Sequence, residues 1–396
     1  MAFKLAQGLL HEHKKNHNGL PDGQTQESYE KWQLDLVALA TIGDMVPLFG
    51  ESRTLVRYGL TVLNKTKNIG IKKLLQVAGV VDETGKHKRG AFDTHTVGFQ
   101  LVPRLNAAGR MDHANSAFAL LTTDDEMEAE KLAQQLNKNN TDRQKITEQM
   151  VTQARTQIKE TGQENNKIIF ILGKKWPTGI LGLVAGKLKD EFYKPVLVMN
   201  LIDGEINGSG RSIAEFDIIK TLQKNEHFFS KFGGHPQACG FSLKSPEVLE
   251  EFKTALLKRA AEILAGFELI PQIDIDTEIN LEEVNWQLYD LLQKFEPFGQ
   301  GNEEPKYVAN GLTLVEALPM GQDGKHLRLM GKHNSQIIRK TVGFGLGDTK
   351  RHPNDWKINL HPGDKIDMVF KIGVNEWNGN RELELKIEDL KKSPVE

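Results

Sequence analysis

Three apolar runs between residues 167 and 201 decide the fold: KIIFIL at 167–172, GILGLVAGKLKDEF at 179–192 and KPVLVMNL at 194–201. The outer two are short and bounded by glycine or proline, which predicts strands, and the longer middle run predicts a helix. A strand, a helix and a strand in this order indicate an α/β domain. The pattern continues through FDIIKTLQKN and ends on a predicted helix at about 246–264.

A different pattern begins near residue 270. Alternating apolar runs are separated there by turn residues, and they read YVANGLTLVEAL, HLRLMG, IIRKTVGFGL and DKIDMVFKIGV. Side chains that alternate in polarity over short segments are typical of strands with one buried face. Several such segments in succession predict a small β-barrel.

The first 160 residues have mostly helical spacing. A long amphipathic section starts at Asp124, and its apolar face consists of Leu132, Leu136, Ile146, Met150, Ala154 and Ile158. We expect a break at residues 139–141, with Thr141 and Gln144 as a capping-box pair. The chain is therefore predicted to be a multidomain α/β protein with four segments, at residues 1–123, 124–162 (a connecting helix), 163–267 and 268–396.

Composition sets further limits. The 396 residues include 26% charged and 39% hydrophobic residues, enough apolar sequence for two or three buried cores. The single cysteine excludes an intrachain disulfide framework and a cysteine-rich zinc site. The N-terminal stretch lacks the features of a signal peptide, and no window approaches the roughly 18 to 20 apolar residues of a membrane span. We expect a cytoplasmic protein that does not enter a membrane.

The net charge of −2 argues against a protein that coats nucleic acid through its overall charge. The charge is unevenly distributed, because residues 325–352 contain seven lysines and arginines but one acid, Asp348. Such a segment can hold a phosphate backbone, with Arg328, Lys332 and Lys340 as candidate contacts. The alternative is a solvated sheet face without a ligand.

Two glycine-rich stretches stand out in the α/β segment, NGSGRSIAEF at 207–216 and KFGGHPQACGFSL at 231–243. Glycines allow close backbone approach to a ligand, and an arginine supplies a forked donor, so Ser209, Arg211 and Ser212 could form a phosphate cradle. The alternative is a hairpin end with an exposed arginine. His235 could donate to a phosphate or a base, or bond a loop carbonyl, and Cys239 is interpreted as a small buried filler.

Two motifs in the first segment carry weaker signals. Asp44 follows the apolar run DLVALATIG and precedes Pro47 by three residues. Its carboxylate can be an ordinary helix cap or a hard oxygen ligand for Mg²⁺ or Mn²⁺. Further along, VPRLNAAGR presents Arg104, Asn106 and Arg110 around small residues.

Taken together and in order, LDLVALATIGDMVPL, VPRLNAAGRM, WPTGILGLVAGKLKDEFYKPVLVM, GSGRSI and FGGHPQACGFSL resemble the RecJ-type single-stranded-DNA-specific exonucleases of the DHH phosphoesterase superfamily. The resemblance continues through FEPFGQGNEEP and covers essentially the whole chain. It implies the C-terminal part of a DHH domain, a connecting helix, a DHH-associated domain and an oligonucleotide-binding (OB) fold. The implied activity is hydrolysis of single-stranded DNA from the 5′ end, with two Mn²⁺ or Mg²⁺ ions, in DNA repair and recombination.

The resemblance also implies roles for matching residues. Asp44 would be a metal ligand and a catalytic residue, and His235 would face the metal centre. The implied substrate contacts are Arg104, Asn106, Arg110, Ser209, Arg211, Ser212, Gly233 and Gly234. Single-stranded DNA is the expected partner. A single-strand-binding protein and a helicase are the possible protein partners, and the chain is expected to be a monomer.

The chain departs from the family pattern in one respect. It contains no Asp-His-His triplet, and the nearest match, Asp112-His113, is followed by Ala114. One aspartate cannot hold two metal ions at the separation of about 3.5 to 4 Å that such sites use. We therefore expect an N-terminally truncated member with little or no activity of its own. The alternatives are a non-catalytic single-strand-binding module and a DHH-family phosphodiesterase of short oligonucleotides.

Overall fold

A computed structural model describes residues 1–88, 90–111, 115–333, 339–349, 354–377 and 380–394. The chain forms two compact units: unit 1 consists of Met1–Val102 and Ile273–Glu396, and unit 2 of Pro103–Gln272. Unit 1 therefore combines the N-terminal helices with the C-terminal strands. None of the described helices is long and apolar enough to cross a membrane.

The N-terminal part of unit 1 is helical. Its helices are α1 (Ala2–Asn16), α2 (Gln26–Trp32), α3 (Leu34–Gly43), α4 (Gly50–Leu63) and α5 (Ile69–Val77). Helices α3 and α4 pack closely because Gly59 has no side chain. A Cβ atom at this position would lie 2.4 Å from the carbonyl oxygen of Leu34 and 2.7 Å from the Cβ atom of Ala38.

A buried carboxyl group lies in α3. Asp35 is only 3% exposed, and it accepts hydrogen bonds from the Thr66 hydroxyl at 2.5 Å and from the Leu36 amide at 2.7 Å. Burial raises the pKa of the Asp35 carboxyl above its ordinary value, although both hydrogen bonds act in the opposite direction. The folded state therefore binds this proton more tightly than the unfolded state does.

The raised pKa predicts a pH dependence of stability. The contribution of Asp35 to the free energy of unfolding is most favourable below the pKa of about 4 that the group has in the unfolded chain. This contribution declines as the pH rises through the pKa of the folded state. We expect Asp35→Asn to become more stable relative to the wild type between about pH 3.5 and about pH 7, as measured by urea unfolding at each pH. Asp290→Asn, at an exposed position, controls for the loss of one carboxylate. Parallel wild-type and Asp35→Asn curves would contradict the prediction.

Unit 2 is the α/β part of the chain. Its helices are α6 (Val102–Met111, which begins at the unit boundary), α7 (Asn115–Thr122), α8 (Glu126–Glu160), α9 (Leu181–Phe192), α10 (Ile218–Gln223) and α11 (Leu249–Ile263). Its strands are β1 (Ile169–Lys174), β2 (Val196–Ile202), β3 (Glu205–Arg211), β4 (Phe229–His235) and β5 (Ala238–Leu243). The sheet order is β1-β2-β3-β5-β4, with β1 and β2 parallel and the other neighbouring pairs antiparallel. One sheet face packs on α8 and α9 and the other on α10 and α11.

Helix α8 is continuous, and the break predicted at residues 139–141 was wrong. The hydroxyl of Thr141 donates to the carbonyl of Asn137 at 3.0 Å within the helix, so it does not cap a new one. Asn140 is 2% exposed, and its side-chain oxygen accepts from Arg143 at 2.8 Å. Side-chain bonds within the helix therefore engage Asn140 and Thr141, two of the polar residues that suggested a helix end.

The C-terminal part of unit 1 forms a closed sheet. Its strands are β6 (Thr277–Glu278), β7 (Tyr307–Met320), β8 (His326–Lys332), β9 (Arg339–Gly343), β10 (Lys365–Trp377) and β11 (Asn380–Lys392), with helices α12 (Trp286–Gln293) and α13 (Trp356–Asn359). The order is β10-β11-β9-β8-β7-β6, and an additional pairing of β10 with β7 closes the sheet. The alternating runs after residue 270 thus produce a barrel with an apolar interior.

Candidate functional site

The histidine of the glycine-rich stretch lies at the tip of the β4–β5 hairpin. His235 is exposed and pairs with Ala238 across the turn. Two hydrogen bonds from the segment after β3 hold the turn: the Ile218 amide donates to the Pro236 carbonyl and the Ser212 amide donates to the Gln237 carbonyl, each at 2.9 Å. The hairpin therefore presents the imidazole from a braced backbone.

Gly234 makes this hairpin possible. Its φ of +149° lies in a region that L-residues with side chains rarely adopt. A Cβ atom here would lie 2.2 Å from the carbonyl oxygen of Ala238. The neighbouring Gly233 differs, since a Cβ atom there would meet nothing within 4 Å. Gly233 and Gly234, both predicted substrate contacts, thus differ in their structural roles. The hairpin geometry requires glycine at position 234, whereas the absence of a side chain at Gly233 leaves open space beside the strand.

Ser209 and Arg211 come together beside the start of α9. The guanidinium of Arg211 donates to the Ser209 hydroxyl oxygen at 3.2 Å and to the Gly210 carbonyl at 2.8 Å, and the Ser209 hydroxyl donates to the Cys239 carbonyl at 3.1 Å. A Cβ atom at Gly182 would lie 2.9 Å from the Arg211 Nη2 atom and 3.0 Å from the Ser209 Oγ atom. Gly182 therefore lets a forked cation and a hydroxyl lie against the first turn of a helix, where backbone amides favour anions.

From the sequence, the glycines of the NGSGRS stretch were expected to let the backbone approach a ligand. In the structure, Gly208 and Gly210 lie against core side chains. A Cβ atom at Gly208 would lie 2.3 Å from the Phe241 ring, and one at Gly210 would lie 2.7 Å from both the Cys239 sulfur and Ile218. These glycines make room for core side chains, because residues of alternating parity on β3 point to opposite faces of the sheet. The sequence did not predict this packing role of Gly208 and Gly210.

Ser212 is 2% exposed, and its hydroxyl donates to the Phe216 carbonyl at 2.6 Å. The structure gives this hydroxyl a role in the loop after β3 instead of a place in the cradle. Cys239 is also buried, and burial raises the pKa of its thiol to about 11, which keeps it protonated and poor as a nucleophile.

The VPRLNAAGR motif forms helix α6. The Arg104 Nε atom donates to the Asn137 side chain at 2.9 Å, and partial burial lowers the pKa of the guanidinium without discharging it. Asn106 is exposed. The side chain of Arg110, like Asp112 and His113, lies outside the described residues.

Asp44 caps the C-terminus of α3 and is exposed. The Val46 amide donates to the Thr41 carbonyl at 3.0 Å and the Met45 amide to the Ile42 carbonyl at 3.1 Å, while Met45 adopts a left-handed φ of 53°. This is a Schellman motif with methionine where glycine is usual. In the described part of the chain, no three His, Cys, Asp or Glu side chains come together as metal ligands. The described residues therefore do not fit a two-metal centre.

The three candidate phosphate contacts of the barrel lie on one outer face of its sheet. Arg328 and Lys332 alternate with buried residues along β8, and Lys340 on β9 pairs with Met330 on the same face. The linear count of charges missed acids on neighbouring strands: Arg328 lies 3.9 Å from Glu316, and Lys340 lies 3.2 Å from Glu382. Cross-strand pairing therefore makes this face less basic than the sequence indicated.

Arg339, another cation of the basic segment, uses its guanidinium donors within the domain. Its guanidinium donates to the carbonyl of Leu281 at 3.3 Å and to that of Val284 at 2.5 Å. This arginine thus ties β9 to the segment before α12.

Two family models match parts of the chain. The DHHA1 domain model matches residues 164–262, and the RecJ OB domain model matches residues 275–389. The first range contains the hairpin of His235, and the second contains the barrel.

Curated relatives cover more of the chain. The single-stranded-DNA-specific exonuclease RecJ of Bacillus subtilis is 32% identical over 98% of the chain, which spans 46% of that relative. The RecJ exonuclease of Escherichia coli is 30% identical over 90% of the chain, which spans 60% of that relative. The chain thus spans about half the length of these proteins.

Solved RecJ structures also match most of the chain. The crystal structure of Thermus thermophilus RecJ with Mg²⁺ matches 92% of this chain and 53% of its own length, with a TM-score of 0.75 and 27% identity. The structure of the same protein with Mn²⁺ has a TM-score of 0.76.

Proposed function

Because the chain belongs to the RecJ family, we propose that it provides the DNA-binding and 5′-end-binding parts of an enzyme that hydrolyses single-stranded DNA from the 5′ end in repair and recombination. We keep the four sequence segments as the domain division. The proposed DNA-associated partners are a single-strand-binding protein and a helicase, and we propose that the chain is a monomer.

The arrangement of Arg211, Ser209 and Gly182 carries this proposal. A terminal phosphate is a compact dianion, which suits a forked guanidinium, a hydroxyl and the N-terminus of a 12-residue helix. We place the 5′-phosphate there, with Arg104, Asn106 and Arg110 as contacts to the following nucleotides. His235 and Gly233 are proposed to contact the phosphate at the end of the strand.

The outer face of the barrel is the proposed path of the strand. The side chains of Arg328 and Glu316 are each 43% exposed, and those of Lys340 and Glu382 are 60% and 63% exposed. Exposed ion pairs contribute little to stability, so DNA phosphates can replace the carboxylates as partners at small cost. Lys332 supplies a third cation on the same face.

Hydrolysis requires more than these residues. Mg²⁺ or Mn²⁺ in such an enzyme activates water and stabilises charge on the phosphate, and Asp44 would be one of its ligands. The other carboxylates and histidines that two ions need are not assembled among the described residues. We therefore propose that this chain alone binds single strands without cleaving them. Release of mononucleotides by the purified chain in Mn²⁺ would overturn this part.

Binding of short labelled oligothymidylates, measured by fluorescence anisotropy, tests the 5′-end site. We expect the wild type to prefer a 5′-phosphorylated strand over a 5′-hydroxyl strand by roughly tenfold, and Arg211→Ala to abolish that preference. Arg211→Lys should restore only part of it, because the ammonium lacks the fork.

The matched control is Lys258→Ala, which removes an exposed cation from α11 on the other side of the sheet. Affinity for both strands should fall as salt rises from about 50 to about 200 mM, since phosphate contacts release counterions. Equal affinity for the two strands in the wild type, or equal effects of Arg211→Ala and Lys258→Ala, would contradict the assignment.

A further inference from the structure

Residues 294–302 lie between α12 and β7, contain the whole FEPFGQGN stretch and contact the N-terminal helical part of the same unit. We call them the clamp segment. Its carbonyl oxygens alternate in the partners that they take, and those of Lys294, Glu296, Phe298 and Gln300 all accept hydrogen bonds from residues 48–94. A connecting loop has no need of such a pattern.

The donors to these carbonyls come from three places. The Arg53 Nη2 atom donates to Lys294 at 3.1 Å and to Glu296 at 3.2 Å. The Thr94 hydroxyl donates to Phe298 at 2.6 Å, and the Leu48 amide donates to Gln300 at 2.7 Å. The clamp segment therefore contacts residues 48–94 through backbone carbonyls that are spread from Lys294 to Gln300.

Asn302 holds the clamp segment in shape. Its side-chain amide donates to the carbonyls of Phe295 and Pro297, each at 2.9 Å. Its backbone exchanges hydrogen bonds with Gly299 at 2.9 and 3.1 Å. The carbonyls of Phe295, Pro297 and Gly299, which alternate with those bonded to residues 48–94, are thus bonded within the segment, which makes it a preformed unit.

Close packing adds to these bonds. A Cβ atom at Gly299 would lie 2.7 Å from the Leu48 Cδ1 atom, and one at Gly301 would lie 2.9 Å from the Phe49 ring and 3.3 Å from Pro47. Leu48 is 2% exposed. The two glycines let the clamp segment lie directly on residues 47–49, which follow Asp44 in the chain.

We propose that the clamp segment is a positioning element: it fixes the turn that carries Asp44 from the barrel side, so that this carboxylate and β7 are held as one body. Its importance for catalysis rests on the proposed role of Asp44. The turn needs such support because Met45 has a left-handed backbone, which is unfavourable for a residue with a side chain. Only three residues separate Asp44 from the Leu48 amide, so a shift at Gln300 reaches the carboxylate through a short stretch of backbone.

Hydrogen exchange of the Leu48 amide, resolved by NMR on the full chain, tests the proposal. Gly299→Ala should accelerate this exchange by at least about tenfold, because the new methyl group displaces Leu48 from its partner. The amide of Phe370, at the centre of the barrel, should keep its rate. Gly331→Ala is the matched control, since a Cβ atom there meets nothing nearer than the Thr313 oxygen at 3.8 Å.

A second pair of variants separates positioning from general destabilisation. Thr94→Val removes the donor to Phe298 and should also accelerate exchange at Leu48, because Gln300, the partner of the Leu48 amide, lies two residues beyond Phe298 in the clamp segment. Thr94→Ser keeps the donor and should restore the wild-type rate. Unchanged exchange at Leu48 in Gly299→Ala and Thr94→Val, or acceleration equal to that at Phe370, would overturn the proposal. Oligothymidylate binding is measured separately, so failure of the proposed DNA-binding function is distinguishable from failure of the clamp.

Discussion

Gly234→Ala is expected to destabilise unit 2 by roughly 3 kcal/mol, whereas Gly233→Ala should change its stability by less than about 1 kcal/mol. The two substitutions add the same methyl group to neighbouring residues. At Gly234 the φ of +149° strains any L side chain, and the new atom would lie 2.2 Å from the Ala238 oxygen and 2.7 Å from the Cys239 Cα atom. Both obstacles are backbone, so no rotamer change relieves them.

The structural consequence should concentrate at the candidate site. Relief of the overlap requires β4 to separate from β5 where Gly234 pairs with Cys239 and His235 with Ala238. We expect Gly234→Ala to lower the urea midpoint of unit 2 and to weaken binding of a 5′-phosphorylated oligothymidylate, while Gly233→Ala retains the midpoint. Equal midpoints for the two variants would show that the hairpin adapts, and that Gly234 is not required for its geometry.

The fold could be predicted from the sequence wherever periodicity reports burial. The runs at residues 168–172 and 196–201 became neighbouring parallel strands, because apolar runs flanking an amphipathic helix have few other ways to be buried. The predicted break in α8 failed for a local reason. Asn140 and Thr141 favour helix ends on average, but here their side chains bond within the helix, which the sequence alone does not reveal.

The site was less predictable because its partners are distant in sequence. Gly182 precedes Arg211 by 29 residues, and no spacing rule links a glycine early in a helix to an arginine at the end of an antiparallel strand. The basic face shows the same limitation, since Glu382 neutralises Lys340 across strands. A period-two reading of β3 could have placed Gly208 and Gly210 on the core side, because Ile206 shares their parity.

Phe252→Ala is expected to cost about 3 to 5 kcal/mol of the stability of unit 2, the range for truncating a large aromatic side chain in a packed core. Phe252 on α11 is fully buried. Its ring contacts four others, with centroids at 5.4 Å (Phe229), 5.6 Å (Phe241), 5.9 Å (Phe228) and 6.1 Å (Phe170). The cavity would open beneath both strands of the hairpin that carries His235. Urea unfolding followed by circular dichroism measures the loss.

Two further variants give this prediction its controls. Phe267→Ala removes the same ring from a position that is 49% exposed and should cost less than about 1 kcal/mol. Phe252→Leu retains most of the volume and should cost less than about 1.5 kcal/mol. If Phe252→Ala were no more harmful than Phe267→Ala, the aromatic cluster would not be what holds β4 and β5 against α11. The order Phe252→Ala, Phe252→Leu, Phe267→Ala is expected also for the weakening of 5′-phosphate binding, because the turn that presents His235 depends on the same two strands.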